Sequence, residues 1–542
     1  ADNAYVCQRA GVVAALLFGF GPALVGLGIW SQILAASGTS LSAQVRRHAA
    51  GVSLLLRYVL FDAVRRAFRS DRDIGWVLMA LCLGIAVRAY FLSQPMRYDE
   101  SNTFLRFVNG DVSLLFFYPF PNNHVLHTIL VKLSTLVFGA HPSTIRFPAF
   151  FAGIASIPLM FCLARVLLRG KSATFAAVAM AVFPYLILYS TTARGYSLVV
   201  FFTLALIFIG ALTASKPSMA ASIVLSVIAA LGMLTIPIMT FPVAGVYLWL
   251  TCLFFINGNK FPRILREFVL PCAIMTIGLT AVFYTPVMLV SKGLDPVLAN
   301  EYVAAQSSEM FFSRLYPHLA RTFSDFFRDV PAPILFAFLA LMTIGAYSAA
   351  RRRDWPLLLL LPSALAACAV LFLSKHAIPY PRTWIFLLPL MLILANAGFV
   401  HCVETFSHGI QKRVHRGVVL AGACYGAWLM ATNAIVRYPD TGTFPDASRI
   451  ARYLKPLMKA GDKVQASIPA DYPIYFYLWY YDLRDFRGEA DPNETEFFVV
   501  QKSNYTFEKG IDEPVVKLVA VPDAAVYRNV PHEEQRPPER PG

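Results

Sequence analysis

Long apolar runs, separated by short polar segments, recur along most of the chain. A helix needs about 20 mostly apolar residues to cross the hydrocarbon core of a bilayer. The pattern therefore predicts about twelve membrane spans, joined by short connections. The predicted spans are Val6–Trp30, Ile74–Leu92, Ile145–Leu168, Ala173–Tyr189, Leu198–Thr213, Met219–Thr235, Ile238–Ile256, Phe268–Val290, Ile334–Ala350, Leu357–Leu373, Ile385–Val403 and Val418–Val436.

Basic residues cluster in every second connection between these spans. Because short cytoplasmic loops carry an excess of Lys and Arg, the alternation places all of the clusters on the cytoplasmic side. The clusters are Arg65/Arg66/Arg69/Arg72, Arg165/Arg169/Lys171, Lys216, Lys260/Arg263/Arg266, Arg351/Arg352/Arg353 and Lys412/Arg413/Arg416. The long loops 93–144 and 291–333, the turns near Arg194 and Ser374–Arg382, and everything after Arg437 then share the outer face.

The two ends of the chain differ from the middle. Residues 1–72 read as an extra N-terminal span followed by a basic amphipathic helix at 41–70, which lies on the membrane surface or docks a membrane-protein partner. Residues 437–530 contain no spanning run. Their short strand patterns, at Val464–Ile468, Phe497–Gln501 and Val515–Val521, predict a small exocytoplasmic, periplasmic α/β domain. The Pro-rich tail 531–542 is predicted to be disordered.

Composition supports the membrane interpretation. Hydrophobic residues make up 57% of the chain and charged residues 15%, against about 45–50% and about 25% in soluble domains. This excludes a soluble enzyme, a disordered scaffold and a disulfide-rich secreted module. The net charge of +15 follows from the loop clusters, so we expect no nucleic acid partner. The lipid bilayer is the expected surroundings of residues 73–436, the predicted membrane domain.

Two adjacent carboxylates, Asp99 and Glu100, follow the second predicted span in the sequence Arg97-Tyr98-Asp99-Glu100. Carboxylates at the outer end of a span are costly to hold in a partly dehydrated site. A solvated turn is one explanation. The other is a catalytic site, in which the ionised Asp99 accepts a proton from an acceptor hydroxyl as a general base.

Further along the same loop, Asn122, Asn123 and His124 precede an amphipathic run, Val125–Phe138, that is typical of a re-entrant or interfacial helix. His124 and His127 have the i, i+3 spacing of a pair of metal ligands, but the motif contains no third ligand. No cofactor is established by this pattern. A divalent metal is left open, with Asp99, Glu100 and His124 as its candidate ligands.

Arginines also stand at the outer ends of two other spans, in Thr192-Ala193-Arg194-Gly195-Tyr196 and in Tyr380-Pro381-Arg382. A single arginine at such a place usually anchors its helix at the membrane interface. Several arginines on the same face as a carboxylate pair indicate a site in which guanidinium groups bind a phosphate bidentately.

The ordered set of Arg97–Glu100, Asn122-Asn123-His124, Ile145-Arg146-Phe147-Pro148 and Ser190–Tyr196 resembles the GT-C membrane glycosyltransferases. The greatest similarity is to the family of protein O-mannosyltransferases and lipid A aminoarabinose transferases. The resemblance covers about Ile74–Ala434. It implies an all-α polytopic bundle with 11–12 transmembrane helices, interfacial helices in the first outer loop and an exocytoplasmic domain.

The resemblance also implies an inverting transferase that moves a sugar from a polyprenyl-phosphate donor to a lipid, glycan or protein acceptor. On this basis Asp99 is predicted as the base, and Glu100 as a neighbour that orients the acceptor or a metal. The donor phosphate would be bound by Arg194, Arg382, Arg146 and His124. The predicted site-lining residues are Tyr98, Asn123 and Tyr196.

Two other functions are compatible with a polytopic membrane protein. A lipid or solute transporter is disfavoured because few ionisable residues lie at mid-span and the halves show no inverted repeat. A non-catalytic subunit of a membrane assembly would use the helix at 41–70 for docking. We predict a multi-pass protein of the inner (plasma) membrane with its active site on the periplasmic or extracellular face.

Overall fold

The computed structural model describes residues 41–64, 71–258, 261–293, 295–298, 304–483, 486–487, 495–501 and 515–529. The predicted span Val6–Trp30 and the predicted disordered tail 531–542 lie outside these residues. Part of the predicted helix at 41–70 is described, as α1 and a π-helical continuation at Tyr58–Ala63. Helix α1 packs with Gly51 against Ala220.

Helices dominate the described residues. Their bounds are α1 Leu41–Arg57, α2 Asp71–Leu92, α3 Tyr98–Thr103, α4 Val125–Phe138, α5 Pro142–Leu167, α6 Thr174–Val182, α7 Pro184–Ser190, α8 Tyr196–Thr213, α9 Met219–Thr235, α10 Thr240–Ile256, α11 Phe261–Ile264, α12 Leu270–Ser291, α13 Asp295–Leu298, α14 Ser308–Phe327, α15 Ala332–Arg351, α16 Trp355–Leu358, α17 Leu360–Lys375, α18 Leu387–Val403, α19 His408–Ala431, α20 Ala447–Leu454 and α21 Asp471–Tyr480.

Within the described ranges, seven helical segments are long and apolar enough to cross a membrane. They are Ile74–Leu92, Pro142–Leu167, Tyr196–Thr213, Pro237–Ile256, Phe261–Ser291, Ala332–Arg351 and Trp355–Lys375. Shorter apolar helices occur at Val125–Phe138, Met219–Thr235 and Leu387–Val403. The predicted fold class, a polytopic helical membrane bundle, is confirmed.

Small residues let two of these helices approach each other very closely. A Cβ atom on Gly345 of α15 would lie 2.1 Å from the carbonyl oxygen of Leu394 in α18, and one on Gly398 of α18 would lie 1.9 Å from that of Leu341. No side chain fits at either position. Close backbone contact of this kind is a common way to pack helices in a membrane, where burial in lipid supplies little driving force.

The predicted span Ala173–Tyr189 is divided into α6 and α7 at Pro184, which lacks the N–H group needed to continue the helix. Carbonyl groups before the break lose the N–H donors that a continuous helix would provide, and the guanidinium of Arg88 in α2 donates to them instead. Arg88 is fully buried and donates to the carbonyls of Met180 and Ala181 at 3.1 and 2.6 Å. Its Nε also donates to Ser190 Oγ, at 2.8 Å, which fixes the direction of α7.

Loops from different parts of the chain meet at the two ends of the bundle. At one end Glu404, after α18, pairs with Lys171 at 2.6 Å and with Arg352 at 3.6 Å. These residues belong to connections that the charge pattern predicts to be cytoplasmic. Helices α5 and α18 begin at the opposite end, near Arg146 and Arg382, and end close to these ion pairs.

The C-terminal part forms a four-stranded sheet from β1 Lys463–Ala466, β2 Glu496–Gln501, β3 Val515–Ala520 and β4 Ala524–Asn529. The strand order is β1-β2-β4-β3, with β1 and β2 parallel and the other pairs antiparallel. The predicted small α/β domain is confirmed. Its buried residues, among them Ile474 and Phe476 of α21, share one apolar core with Met96 and Phe104 beside α3.

Candidate active site

The carboxylate pair lies in the first turn of α3. Arg97 precedes the helix in an extended conformation, and its backbone N–H donates to Glu100 Oε1 at 2.8 Å. This contact, made by a side chain reaching back to the start of its helix, fixes where α3 begins. Because successive helical residues are rotated by about 100°, Asp99 and Glu100 point in different directions.

Glu100 is completely buried, and both of its oxygens accept two hydrogen bonds. Oε1 accepts from Arg97 N–H and from Arg146 Nη2. Oε2 accepts from Arg146 Nε at 3.0 Å and from Ala193 N–H at 2.7 Å. The carboxylate therefore connects α3, α5 and the turn that precedes α8.

Arg146 is equally buried, and its hydrogen bonds are complete. Two go to Glu100, and the rest go to backbone carbonyls at the end of α2. These are Nη1 to Leu92 O at 2.8 Å and to Gln94 O at 2.6 Å, and Nη2 to Pro95 O at 2.9 Å. A guanidinium group has five N–H donors. The geometry thus gives Arg146 no N–H group for a phosphate, in contrast to the predicted role.

Asp99 has a different environment from its neighbour. Its side chain is 14% exposed, and its Oδ2 lies 3.5 Å from Arg382 Nη2. Among the described residues, Oδ2 has no hydrogen-bond donor. The backbone carbonyl of Asp99 accepts from Thr103 Oγ1 at 2.8 Å and from Asn122 Nδ2 at 3.3 Å, which holds the residue in place.

Arg194 lies next to this turn and is 2% exposed. Its Nη1 donates to Thr103 Oγ1 and to the carbonyl of Asn122, both at 2.8 Å. Its Nη2 lies 3.0 Å from His124 Nε2. In the part of the chain that the structure describes, Nε of Arg194 has no partner.

The ring of His124 determines how many N–H groups of Arg194 are free. His124 Nδ1 accepts from the backbone N–H of Gly195 at 2.8 Å. Burial, and then the charge of Arg194, hold the pKa of His124 well below its usual value, so the ring is neutral. A neutral ring that accepts at Nδ1 carries its proton on Nε2. Nε2 therefore cannot accept from Arg194, whose Nη2 and Nε both remain available to an anion.

Arg382 occupies the 3₁₀ turn Pro381–Trp384 before α18. Its Nε donates to Tyr196 Oη at 3.0 Å, and its Nη1 donates to Asp440 Oδ1 at 2.9 Å. The guanidinium also lies 4.4 Å from the centre of the Tyr380 ring. Burial lowers the pKa of Arg382, but Tyr196, Asp99 and Asp440 outweigh this and raise the pKa further above its usual value.

The three predicted lining residues differ in how close they lie to the arginines and to Asp99. Tyr196 contacts both Arg382 and the ring of His124, 5.2 Å away centre to centre. Tyr98 packs edge-on against Tyr472 of the C-terminal domain at 5.3 Å, and burial raises its pKa to about 12. Asn123 is fully buried and donates to the carbonyls of Leu115 and Phe117, so it supports the loop rather than lining a cavity.

Sequence reasoning missed Asp440, Tyr185 and Tyr189. Asp440 follows the last predicted span, Val418–Val436, by a few residues. Both tyrosines donate to its Oδ2, Tyr185 at 3.1 Å. Two tyrosines at i, i+4 near the outer end of an apolar run, and one acid just after another such run, were the available signals. Neither signal indicates that these distant segments meet.

Two of the three predicted metal ligands, Glu100 and His124, are already engaged by N–H groups and do not fit a metal ion. Glu100 already accepts four hydrogen bonds, and the ring nitrogens of His124 face N–H donors. Across the described ranges, no group of three or more His, Cys, Asp or Glu side chains could hold a metal ion. We therefore derive no step that uses a metal.

Residues 124–288 match the family model described as dolichyl-phosphate-mannose-protein mannosyltransferase. A comparison of the sequence with curated proteins finds no match. Among solved structures, ArnT from Cupriavidus metallidurans in the apo state is 15% identical, with a TM-score of 0.57, and the match covers 85% of this chain and 99% of that one. The structure of the same protein bound to undecaprenyl phosphate is 14% identical, with a TM-score of 0.57 and coverage of 84% and 98%.

At this level of identity the structural likeness shows the fold, and the family match adds an independent similarity over the segment from His124 to α12. That segment includes Arg146 and Arg194. The predicted resemblance to the GT-C membrane glycosyltransferases is therefore confirmed: the fold is similar to that of ArnT, and residues 124–288 match the mannosyltransferase family model.

Proposed function

We propose that the chain transfers a sugar, with inversion, from a polyprenyl-phosphate donor to an acceptor at the outer face of the membrane. The observation that carries the proposal is the environment of Asp99. It is a carboxylate with an unbonded oxygen, 3.5 Å from Arg382. Arg194 contacts Thr103 and Asn122, which also bind the backbone of Asp99.

Asp99 is the general base in this proposal. It takes the proton from the acceptor hydroxyl while the oxygen attacks the anomeric carbon of the donor sugar. The bond between that carbon and the phosphate oxygen breaks, and its electron pair leaves with the polyprenyl phosphate. Attack from the side opposite the leaving phosphate inverts the anomeric centre.

Arg194 and Arg382 bind the phosphate that leaves. Both guanidinium groups are held by neighbouring side chains, and both keep N–H groups that make no hydrogen bond to the described residues. Donors that are already oriented toward developing negative charge stabilise a transition state without reorganisation. His124 donates a hydrogen bond from its Nε2–H group to the same phosphate.

Glu100 and Arg146 take a positioning role. Their mutual ion pair, with no exposed surface on either side chain, fixes α3 against α5 and the turn before α8. A polyprenyl-phosphate donor is supported by the family description and by the undecaprenyl phosphate bound to the structurally similar ArnT. Such a donor keeps its chain in lipid and its phosphate at the interface, where the span pattern predicts Arg194 and Arg382 to lie.

The test is transfer of a labelled sugar from a short-chain polyprenyl phosphate by the purified, detergent-solubilised protein and by Asp99→Asn. Asp111→Asn is the matched control, since Asp111 is an exposed acid of the same loop. We expect transfer by the wild type and the control, and loss of transfer by Asp99→Asn. A transporter or a non-catalytic subunit would give no transfer in any of the three.

The face of the site is proposed from the charge pattern alone. A cysteine introduced at Ala460, which is exposed in the C-terminal domain, should react with a membrane-impermeant reagent in intact cells or spheroplasts above the wild-type background. One introduced at Lys412, exposed at the opposite end, should react only after lysis. The reverse result would place the site on the cytoplasmic face.

A further inference from the structure

The segment 435–442, here called the strap, joins α19 to the C-terminal domain and lies across the turn that carries Asp99. Arg97 is 1% exposed, and its guanidinium donates to four strap carbonyls, those of Ile435 at 2.7 Å, Val436 at 3.4 Å, Tyr438 at 2.7 Å and Asp440 at 3.0 Å. The backbone N–H groups of Tyr98 and Asp99 donate to Gly442 O at 2.8 Å and Thr441 O at 3.2 Å.

A side chain at Gly442 would disturb this contact. Its φ is +70°, and a Cβ atom there would lie 2.6 Å from Tyr98 Cβ. Glycine is the residue that takes this backbone conformation without strain. The strap and the Asp99 turn therefore form one unit, which sets the position of the Asp440 carboxylate relative to the site.

Four donors surround the Asp440 carboxylate. Oδ1 accepts from Arg382 Nη1 at 2.9 Å and from the N–H of Thr441 at 3.0 Å. Oδ2 accepts from the hydroxyls of Tyr185 and Tyr189. Burial alone would raise the pKa of Asp440, but Arg382 and the hydrogen bonds from Tyr189 and Tyr185 outweigh it and lower the pKa below its usual value.

The two tyrosines reach Asp440 because of the helix break at Pro184. They lie one turn apart on α7, so their hydroxyl groups project to the same side. Their rings contact each other at 5.1 Å between centres. Arg88, which binds the carbonyls before the break and Ser190 at the end of α7, holds this short helix in place.

We propose that Asp440 is a positioning residue that aims Arg382 at the donor phosphate, a role that rests on the proposed transferase function. Asp440 holds Nη1 and Tyr196 holds Nε, which together fix the plane of the guanidinium. Nη2 is then left 3.5 Å from Asp99 Oδ2, too far for a hydrogen bond, and can bind a phosphate oxygen.

Without the Asp440 charge, Asp99 is the one remaining carboxylate in ion-pair contact with Arg382 among the described residues. The arginine would close onto Asp99 and become a poorer ligand for the donor phosphate. A merely structural role of Asp440 in fastening the strap makes a different prediction. It would lower the amount of folded protein and affect donor and acceptor alike.

The experiment compares Asp440→Asn with wild type in the full-length protein, with Asp523→Asn, an exposed acid of the β3–β4 turn, as the control. Binding of a short-chain polyprenyl phosphate and transfer kinetics are measured separately. We expect Asp440→Asn to raise the donor KM and the polyprenyl phosphate Kd about 10–100-fold, the loss of one charged hydrogen-bonded partner. The acceptor KM should change less than about 2-fold, and Asp440→Glu should restore part of the loss.

A double-mutant cycle decides whether Asp440 acts through Arg382. In an Arg382→Met background, Asp440→Asn should weaken polyprenyl phosphate binding less than about 3-fold. An equal loss in both backgrounds, or an unchanged donor KM with a lower kcat, would overturn the proposal. Should Asp440→Asn fail to fold, Tyr189→Phe replaces it, with about a 3–10-fold rise in the same Kd. A wild type that binds polyprenyl phosphate but transfers no sugar would refute the proposed function while the Kd comparison still judges Asp440.

Discussion

Asp99 and Glu100 are adjacent in the sequence, yet the fold gives them opposite surroundings. Glu100 has no exposed surface, and each of its oxygens accepts two hydrogen bonds. Asp99 is 14% exposed, and its Oδ2 has only an ion-pair contact at 3.5 Å. A carboxylate whose lone pairs are all occupied must break hydrogen bonds before it can take a proton, whereas Asp99 has an oxygen that is free to do so.

The arginines around the two carboxylates differ in the same way. Arg146, the partner of Glu100, uses every N–H group on Glu100 and on three backbone carbonyls. Arg194 and Arg382 keep N–H groups that no described residue accepts. Within one cluster of buried charges, the number of vacant donors and acceptors therefore separates the groups that hold the fold from those that can meet a substrate.

The largest expected effect is on the free carboxylate. Asp99→Asn should lower the transfer rate about 10²–10⁴-fold, because the acceptor hydroxyl loses its general base. Thermal stability should change little, since the Asp99 side chain makes no hydrogen bond to the described residues beyond the Arg382 ion pair. Initial rates of transfer and melting temperatures of the purified protein check these two expectations. Near-normal turnover would remove Asp99 from the mechanism.

For Glu100, whose oxygens all accept hydrogen bonds, we expect substitution to lower the stability of the fold. Glu100→Gln leaves Arg146 buried without its counter-charge, and breaking a buried pair typically costs about 3–5 kcal/mol. Arg146→Met should cost a similar amount for the same reason, and the double variant should lose less than the sum of the two. Unfolding in detergent, followed by heat or denaturant, measures these losses. A well-folded Glu100→Gln protein with no transfer would move Glu100 into the catalytic site.

A smaller effect is expected from the two arginines with free N–H groups. Arg194→Lys and Arg382→Lys keep the charge but lose the planar pair of donors that matches a phosphate. Each should raise the donor KM about 10-fold while the acceptor KM stays within about 2-fold. Steady-state kinetics with a short-chain donor separate the two constants. If only the acceptor KM rises, these arginines belong to the acceptor half of the site.

Much of the fold could be predicted because its signals are local. Apolar runs indicate spans, basic clusters orient them, and strand patterns locate the C-terminal domain. The helix break at Pro184 was harder to predict, because the apolar run continues through it and the residue that repairs it, Arg88, lies about a hundred positions away. An apolar run indicates that a segment is buried in lipid, but not that it is a single helix.

The site was only partly predictable for a similar reason. Asp99, Arg194 and Arg382 each stand at the outer end of a span, so their meeting follows from topology. Which groups pair with each other does not. The Glu100–Arg146 pair joins residues 46 positions apart, and Asp440 meets Tyr189 from 251 positions away. Sequence spacing offers no guide to either contact, so the pattern favours phosphate binding for Arg146 and gives no indication of the role of Asp440.

A third carboxyl group, Asp471 at the start of α21, tests what burial does where no ion pair is formed with the described residues. Its Oδ1 is buried and has no hydrogen-bond partner among the described residues. Burial raises its pKa from 3.8 to about 6, and backbone hydrogen bonds and Arg487 offset only part of this. The folded protein therefore binds this proton more tightly than the unfolded chain does. The resulting stabilisation is complete below about pH 3.8 and is lost as the pH rises through about 6.

Asp471→Asn removes this titration and should be the smallest of the changes. At pH 4 the variant and the wild type should melt at nearly the same temperature. Between pH 4 and 6.5 the wild type should lose stability relative to the variant, by about 1 kcal/mol at pH 7 after allowance for partial solvent exposure. Melting curves at several pH values, with Asp523→Asn as the exposed control, measure the difference. Parallel curves would mean that Asp471 ionises equally well in the folded and unfolded chains. Burial would then have no measurable effect on the ionisation of this carboxyl group.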